Sequence, residues 1–471
     1  MSAFPSRPRL ATHVLVRRHL VDGDERIVLF DLGTGRLVQI GPREWGLVAS
    51  ADGTRDLDGI VLAAAREGAH ARGPAARGFL EQLHEAGLLD DGLEAPPPDT
   101  PVPAPGSVED ASARLLEPLP DFSLHCDGSG SCCRIYATVL FGPVEAARAR
   151  ALLPLIRDGG ARHERVFTPE RGSGPTGGAA VTLRDGCCVY LGDDGRCGLH
   201  AAGGPSAKPV GCSTFPASFV DDGESIKVSV AVECACVLAS VDRPGGAPLI
   251  PAGARVRSDL HETLIVDRLP DHVDLTRTTS APRATYLSWS RAITRRLPVR
   301  DTAAALWALA GAIESDGLDE GAAARALESR GPVGDLRPWI AALHRDAGKR
   351  EREDATWRSE RDLARRATRW IVTATAWLLE NEAPAAPIAA ARSEGFYLRA
   401  LLHGHRLAGA LPLAVALRDR AARLVVARGL AQVLAALPEA ELDPACAHPL
   451  ALVEAMLRGH GLDTYAEGVG G

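Results

Sequence analysis

Lysine is nearly missing from this sequence. Only Lys208, Lys227 and Lys349 occur among 471 residues, and arginine does the cationic work. Together with the wealth of Ala, Leu, Gly and Pro, that bias reads as a GC-rich coding background without functional meaning. Positive charge is not in excess either: a net charge of −7 and a pI near 6.1 argue against a dedicated nucleic-acid binder. Long apolar runs are absent. The nearest candidate, Trp370 to Leu379, has ten residues against the roughly 20 of a membrane-spanning helix, so no span is predicted. The start, MSAFPSRPRLATHV, has no apolar core and no small-residue cleavage site, which predicts a cytoplasmic chain. The remaining composition, 46% hydrophobic and 24% charged, is that of a soluble protein with room for roughly two to four domains.

Cysteine is scarce everywhere except in one stretch. Nine of the ten fall between Cys126 and Cys236, in HCDGSGSCC, DGCCVYLGDDGRCGLH, KPVGCSTFP and VECAC, and only Cys446 lies elsewhere. A disulfide framework suits neither a non-exported chain nor the adjacent pairs Cys132–Cys133 and Cys187–Cys188, which cannot easily bridge each other. Scattered core thiols would not fall repeatedly in Gly-rich loops. Ligation to a soft metal or an iron–sulfur cluster fits better, because thiolates converging without a cation repel one another and resist ionisation. Glycines 128, 130, 186, 192, 195, 198 and 211 give the backbone the turns that aim sulfurs inward. The candidate ligands are Cys126, Cys132, Cys133, Cys187, Cys188, Cys197, Cys212, Cys234 and Cys236. Their spacing matches neither a zinc finger nor a ferredoxin run, so the metal stays open.

These motifs resemble the YkgJ-type, or CxxCxxCC, cysteine-cluster family, described as zinc- or iron-chelating. The opening motif is similar to Cys126-Asp-Gly-Ser129-Gly-Ser-Cys132-Cys133, with Ser129 in the place of a cysteine. Cys188-Val-Tyr-Leu191, Cys197-Gly-Leu-His200 and Lys208-Pro-Val-Gly-Cys212-Ser-Thr-Phe-Pro216 match three further elements in order. Ser213 departs from an expected arginine, while Cys187, Cys234 and Cys236 are additional. In architecture, a cysteine domain followed by a helical tail, the chain is also similar to flagellin lysine N-methylases. That resemblance implies an iron–sulfur cluster and methyl transfer from S-adenosylmethionine.

Residues 12–92 read as a small domain. HVLVRRHL, RIVLFDL and RLVQI are strand-like, joined through Asp22-Gly23-Asp24 and Gly33-Thr34-Gly35. Three helices come next: one begun by Pro42, one running from Asp56 with Leu57, Ile60, Val61 and Ala64 on one face, and one over 75–86 closed by Gly87. The order resembles PqqD-like winged-helix modules, which implies capture of a peptide on a sheet edge. A winged helix used only for packing or dimerisation stands beside that reading. DNA binding is disfavoured, since residues 1–92 hold eleven arginines against thirteen acids.

A proline-rich linker, residues 93–117, separates this module from a cysteine domain over 118–241. Gly172, Gly174 and Gly177 satisfy GxGxxG, but the pattern lacks a preceding strand and a succeeding helix, so a loop is predicted. IKVSVAV is predicted to be a strand that would bring Cys234 and Cys236 to one face if it continued. Residues 256–471 are predicted to be mainly helical, with Asp301 and Gly317 bounding one helix and a tryptophan stripe over 357–380 facing a core. His403 and His405 are read as solvated or core histidines, and the arginines over 358–369 as a solvated or docking face. The expected fold class is therefore α+β: a small winged-helix-like N-terminal domain, a loop-rich cysteine domain and a mainly helical C-terminal domain. The expected function is a metalloprotein acting on a protein or peptide, with lysine N-methylation as the implied reaction. The alternative is a non-enzymatic zinc-stabilised scaffold.

Overall fold

The computed structural model describes residues 4–31, 37–69, 73–92, 112–136, 139–153, 156–158, 161–163, 166–173, 178–297, 299–328, 333–385, 387–409, 411–438, 443 and 448–459. It is an α+β protein built as two compact units, each assembled from segments distant in sequence. The first comprises Met1–Pro105, Tyr136–Ser213 and Trp357–Asp362, and the second Gly106–Ile135, Thr214–Thr356 and Leu363–Gly471. The stretch over 118–241 thus contributes to both units.

In the first unit a five-stranded sheet has the order Cys187–Cys188, Leu183–Arg184, Val14–Val21, Asp24–Asp31, Leu37–Ile40. Asp22 and Gly23 turn the first hairpin, both with positive φ (49° and 89°), the conformation an Asp-Gly pair supplies at low cost. The sequence marks the Gly33-Thr34-Gly35 turn as well, but it lies outside the described residues. Val14–Val21 is buried along seven of its eight residues because it has a strand on each side. Its second neighbour, Leu183–Arg184, pairs in parallel with His19 and Leu20. Three helices cover one face. Pro42 begins the first, Asp56 accepts from Gly59 N at 2.9 Å to cap the second, and Gly87 (φ 75°) lies just past the third. Val16, Leu29, Ile60 and Leu80 lie in their shared core. A strand that the sequence pattern does not announce, Pro8–Leu10, pairs with Leu89–Asp91 and ties the N-terminal segment to the end of the helices.

A strand, Phe167–Ser173, does precede the GxGxxG pattern, contrary to the expectation from sequence. The element after the pattern is another strand, Gly178–Val181, so the strand-to-helix turn of a dinucleotide loop is not formed. Gly174 and Gly177 lie outside the described residues. Arg358 also departs from expectation. It is 4% exposed and pairs with Asp362 at 2.6 Å, so it is no part of a solvated face.

In the second unit the sheet order is Asp267–Arg268, Ala217–Asp221, Ile226–Val230, Leu116–Pro118. Helices make up most of the rest. Seventeen of the 23 residues of Leu413–Ala435 are buried, so this helix is surrounded by others and not laid on a surface. Its Gly429 allows the close approach of Leu363–Glu380: a Cβ there would stand 2.9 Å from Leu378. Asp301 caps Thr302–Asp316 through Ala304 N, and Gly317 (φ 63°) closes it. His403 contacts the Glu117 carbonyl at 3.0 Å, while buried His405 lies 3.5 Å from buried Asp222. Among the described residues, no helix is long and apolar enough to cross a membrane.

Candidate metal centre

The described cysteines of the second unit lie in two short segments. The first runs from the loop at Cys126 into helix Ser131–Ile135. Leu124 pairs by backbone bonds in both directions with Ala247 (2.8 and 2.9 Å), and Gly246 fits there because any Cβ would strike the Leu124 carbonyl. His125 N then donates to Ser240 Oγ at 2.8 Å, and that hydroxyl donates to the Cys236 carbonyl at 2.6 Å. The second segment is helix Ala235–Ala239, with Cys234 as its N-cap residue. The strand Ile226–Val230 therefore does not continue to the cysteines. Ala231 N turns to the Pro216 carbonyl and Cys234 N to the Ala231 carbonyl, and the chain coils. Cys234 and Cys236 still meet, through a side-chain hydrogen bond made in a helical turn and not on a strand face.

Where the two segments meet, the sulfurs of Cys126 and Cys236 and a carboxylate oxygen of Asp127 lie within 4.8 Å of one another. Cys236 is buried, while Cys126 and Asp127 are exposed, so the group opens to solvent on one side. Two thiolates on a tetrahedral zinc stand roughly 3.8 Å apart, so small side-chain adjustments would bring these three donors to ligand spacing and leave a fourth position to another ligand. The protons occupy a chain: Cys126 bonds to Cys236, and Cys236 donates to Asp127 Oδ1 at 3.3 Å. That bond to Cys236, and then burial, push the Cys126 thiol far above its ordinary value. For Cys236 the bond from Cys126 pulls downward, but the bond to Cys234 and burial outweigh it, and the thiol is pushed up to about 12. Burial raises the Asp127 carboxyl, yet the Ser129 N–H and the Cys236 thiol hold it below the usual carboxylate range. Convergent thiols that cannot shed their protons alone are what a cation would relieve.

Asp127 is not among the residues that the sequence singles out. Its only signal is an acidic oxygen directly after Cys126, and adjacency says nothing about whether two side chains converge. Ser129 does not join the donors. Its N–H fixes the Asp127 carboxylate at 2.9 Å and its hydroxyl meets that of Ser131 at 2.7 Å. Cys132 and Cys133 lie just beyond, in helix Ser131–Ile135.

The other candidates belong to the first unit. Asp185 and Gly186 (φ 45° and 82°) turn the chain into Cys187–Cys188, and Asp185 N is held by the Leu20 carbonyl at 2.9 Å. A Cβ on Gly186 would collide with the Asp362 carboxylate. Cys197 immediately precedes helix Gly198–Gly203, and it and Cys188 both border Tyr190, whose phenol is raised by burial and then by those sulfurs. Cys212 lies in Val210–Thr214, anchored by Val210 N donating to Glu145 Oε1 at 2.7 Å. No disulfide joins the nine described cysteines, and Cys446 lies outside the described residues. Compared with protein-family models, curated proteins and solved structures, the chain matches none.

Proposed function

We propose that this protein is a metalloprotein whose centre is seeded by Cys126, Cys236 and Asp127 and serves a protein or peptide substrate. One observation carries the metal: two thiols and a carboxylate converge, their donor atoms within 4.8 Å of one another. Cys234, hydrogen-bonded to Cys236, is the next donor within reach. The resemblance to the cysteine-cluster family would add Cys132 and Cys133 of the same unit to the ligand set, and it makes Cys188, Cys197 and Cys212 candidate ligands within the first unit. With that many thiols the centre is iron–sulfur, and the similarity to flagellin lysine methylases points to methyl transfer from S-adenosylmethionine to lysine in the cytoplasm. No residue is assigned to S-adenosylmethionine. A zinc scaffold is the second reading, and Asp127 favours it. Zinc accepts a carboxylate beside thiolates, whereas iron–sulfur clusters are held mostly by cysteine alone.

Purification without oxygen, with iron, acid-labile sulfide and zinc then measured, separates the two. Iron with sulfide and visible absorption supports the cluster. Stoichiometric zinc without iron supports the scaffold, and no metal under either regime defeats both. Mass spectrometry of a lysine-bearing peptide incubated with the loaded protein and S-adenosylmethionine then tests the reaction.

A further inference from the structure

A second polar site lies in the same unit, around a cavity of about 210 Å³. Part of its wall is apolar, from Val230, Val232, Ala400 and Leu401. The rest is charged, and almost every charge there is answered. Glu454 receives Arg420 at 3.0 Å, Arg423 at 3.1 Å and the Tyr397 hydroxyl at 2.5 Å. Asp419, from behind, takes Arg423 at 2.9 Å and lies 3.8 Å from Arg420. Glu233 takes Arg458 at 2.7 Å, and Arg458, 46% exposed, stands at the rim. Arg406 is the exception. It lines the cavity, and among the described residues no carboxylate lies within ion-pair distance of it and no acceptor takes its guanidinium. The charges of Glu233 and of Asp267, the latter exposed on its strand, reach it from farther off. Of the four guanidiniums that line the cavity, Arg406 is thus the one without a carboxylate at ion-pair distance. Burial, and then the neighbouring Arg458, push the Arg406 guanidinium below its ordinary value.

We infer that this cavity binds the carboxylate group of a small aliphatic acid, with Arg406 as the receiving guanidinium. The planar fork of arginine matches a carboxylate through two parallel hydrogen bonds. One guanidinium without an ion-pair partner calls for a single carboxylate, and the four aliphatic wall residues suit a short hydrocarbon body. The volume is below that of pockets for drug-sized ligands, which limits the guest to a few carbon atoms. The inference is independent of the metal centre.

The test uses the full-length protein, with thermal melting and titration calorimetry in acetate, butyrate and succinate against chloride at matched ionic strength. Short carboxylates should raise the melting temperature saturably, and Arg406→Gln should weaken their binding at least tenfold. In chloride alone, Arg406→Gln should melt no lower than the parent, because it removes an unanswered cation. Arg458→Gln, at the exposed rim, is the second variant and should weaken binding at least threefold even if Arg406→Gln folds poorly. An unresponsive parent protein, or carboxylate binding unchanged in both variants, overturns the inference. Inorganic phosphate binding more tightly than every carboxylate overturns the choice of ligand.

Discussion

Glu454 and Cys236 are both buried in the second unit, and both sit at the centre of a polar cluster. Glu454 meets two guanidiniums and a phenol, so its negative charge is answered within the chain. Cys236 meets two other thiols and a carboxylate, and no cation of the described residues is among them. The first cluster lowers its acid to about 2, because Arg423 and Arg420 overcome the burial that would raise it. The second raises the Cys126 and Cys236 thiols. Glu454 thus has its charge met by residues of the chain, whereas the thiols around Cys236 have no side-chain cation among the described residues to favour their ionised form.

The largest effect should come from unbalancing the self-sufficient cluster. Glu454→Ala leaves Arg420 and Arg423 with Asp419 alone and the Tyr397 hydroxyl without its acceptor, and should cost about 3 kcal/mol in urea unfolding. The pH dependence comes from a folded value held below the unfolded one. The stability contributed by Glu454 is complete above its ordinary value of 4.5 and is lost as pH falls through about 2. Glu454→Gln should flatten the stability curve across that window. An unchanged acid limb would mean that the carboxylate is not answered as the distances imply.

Metal uptake measures the other half of the comparison. Cys236→Ser should reduce metal content at least tenfold at equal protein stability, and Cys126→Ser should do the same. Cys446→Ser, outside the cysteine stretch, is the control and should retain full metal. Each ion must displace two thiol protons, so apparent affinity should climb by up to ~100-fold per pH unit below the thiol values. Without metal the sign reverses. The Cys236 thiol is higher folded than unfolded, so its contribution is present below the ordinary 9.0 and is lost as pH rises through about 12. A metal-free protein whose stability is flat from about pH 8 to 11 would argue against the shared protons.

Local chemistry was legible in the sequence. The Asp22-Gly23 turn, Pro42 at a helix start, and the Asp56 and Asp301 caps each depend on neighbours within four residues, and each is found in place. The features that escaped depend on distance. The two-residue strand Leu183–Arg184 pairs with His19 and Leu20 more than 160 positions away, too short a run to carry any periodic signal. Cys234 and Cys236 read as strand-borne because IKVSVAV alternates, but Pro216, in register with Ala231, accepts its amide and has no N–H to return, and the ladder ends there. Cys126 and Cys236 announced themselves as thiols, yet only the Leu124–Ala247 pairing and the His125–Ser240 bond reveal that they meet. Arg406 gave no signal at all, since a surplus arginine is defined by what surrounds it.

The smallest expected effect tests the residue that the sequence concealed. Asp127→Asn keeps an oxygen for the Ser129 N–H and nearly the same volume, so the turn of Gly128 and Gly130 should persist. It removes the negative charge, and Cys236 then donates to a neutral amide oxygen in place of a carboxylate. Neutral hydrogen bonds are about half as strong as charge-assisted ones, so the metal-free protein should lose less than about 1 kcal/mol. Metal affinity is where the readings diverge. If Asp127 is a donor, zinc or cobalt binding should weaken about tenfold, and the cobalt ligand-field spectrum should shift with loss of an anionic oxygen. If Asp127 only orients Cys236 beside an all-thiolate cluster, affinity and spectrum should stay close to those of the parent while Cys236→Ser still abolishes binding. Full retention of a zinc or cobalt site by Asp127→Asn would therefore remove the carboxylate from the ligand set and shift the balance toward the iron–sulfur reading.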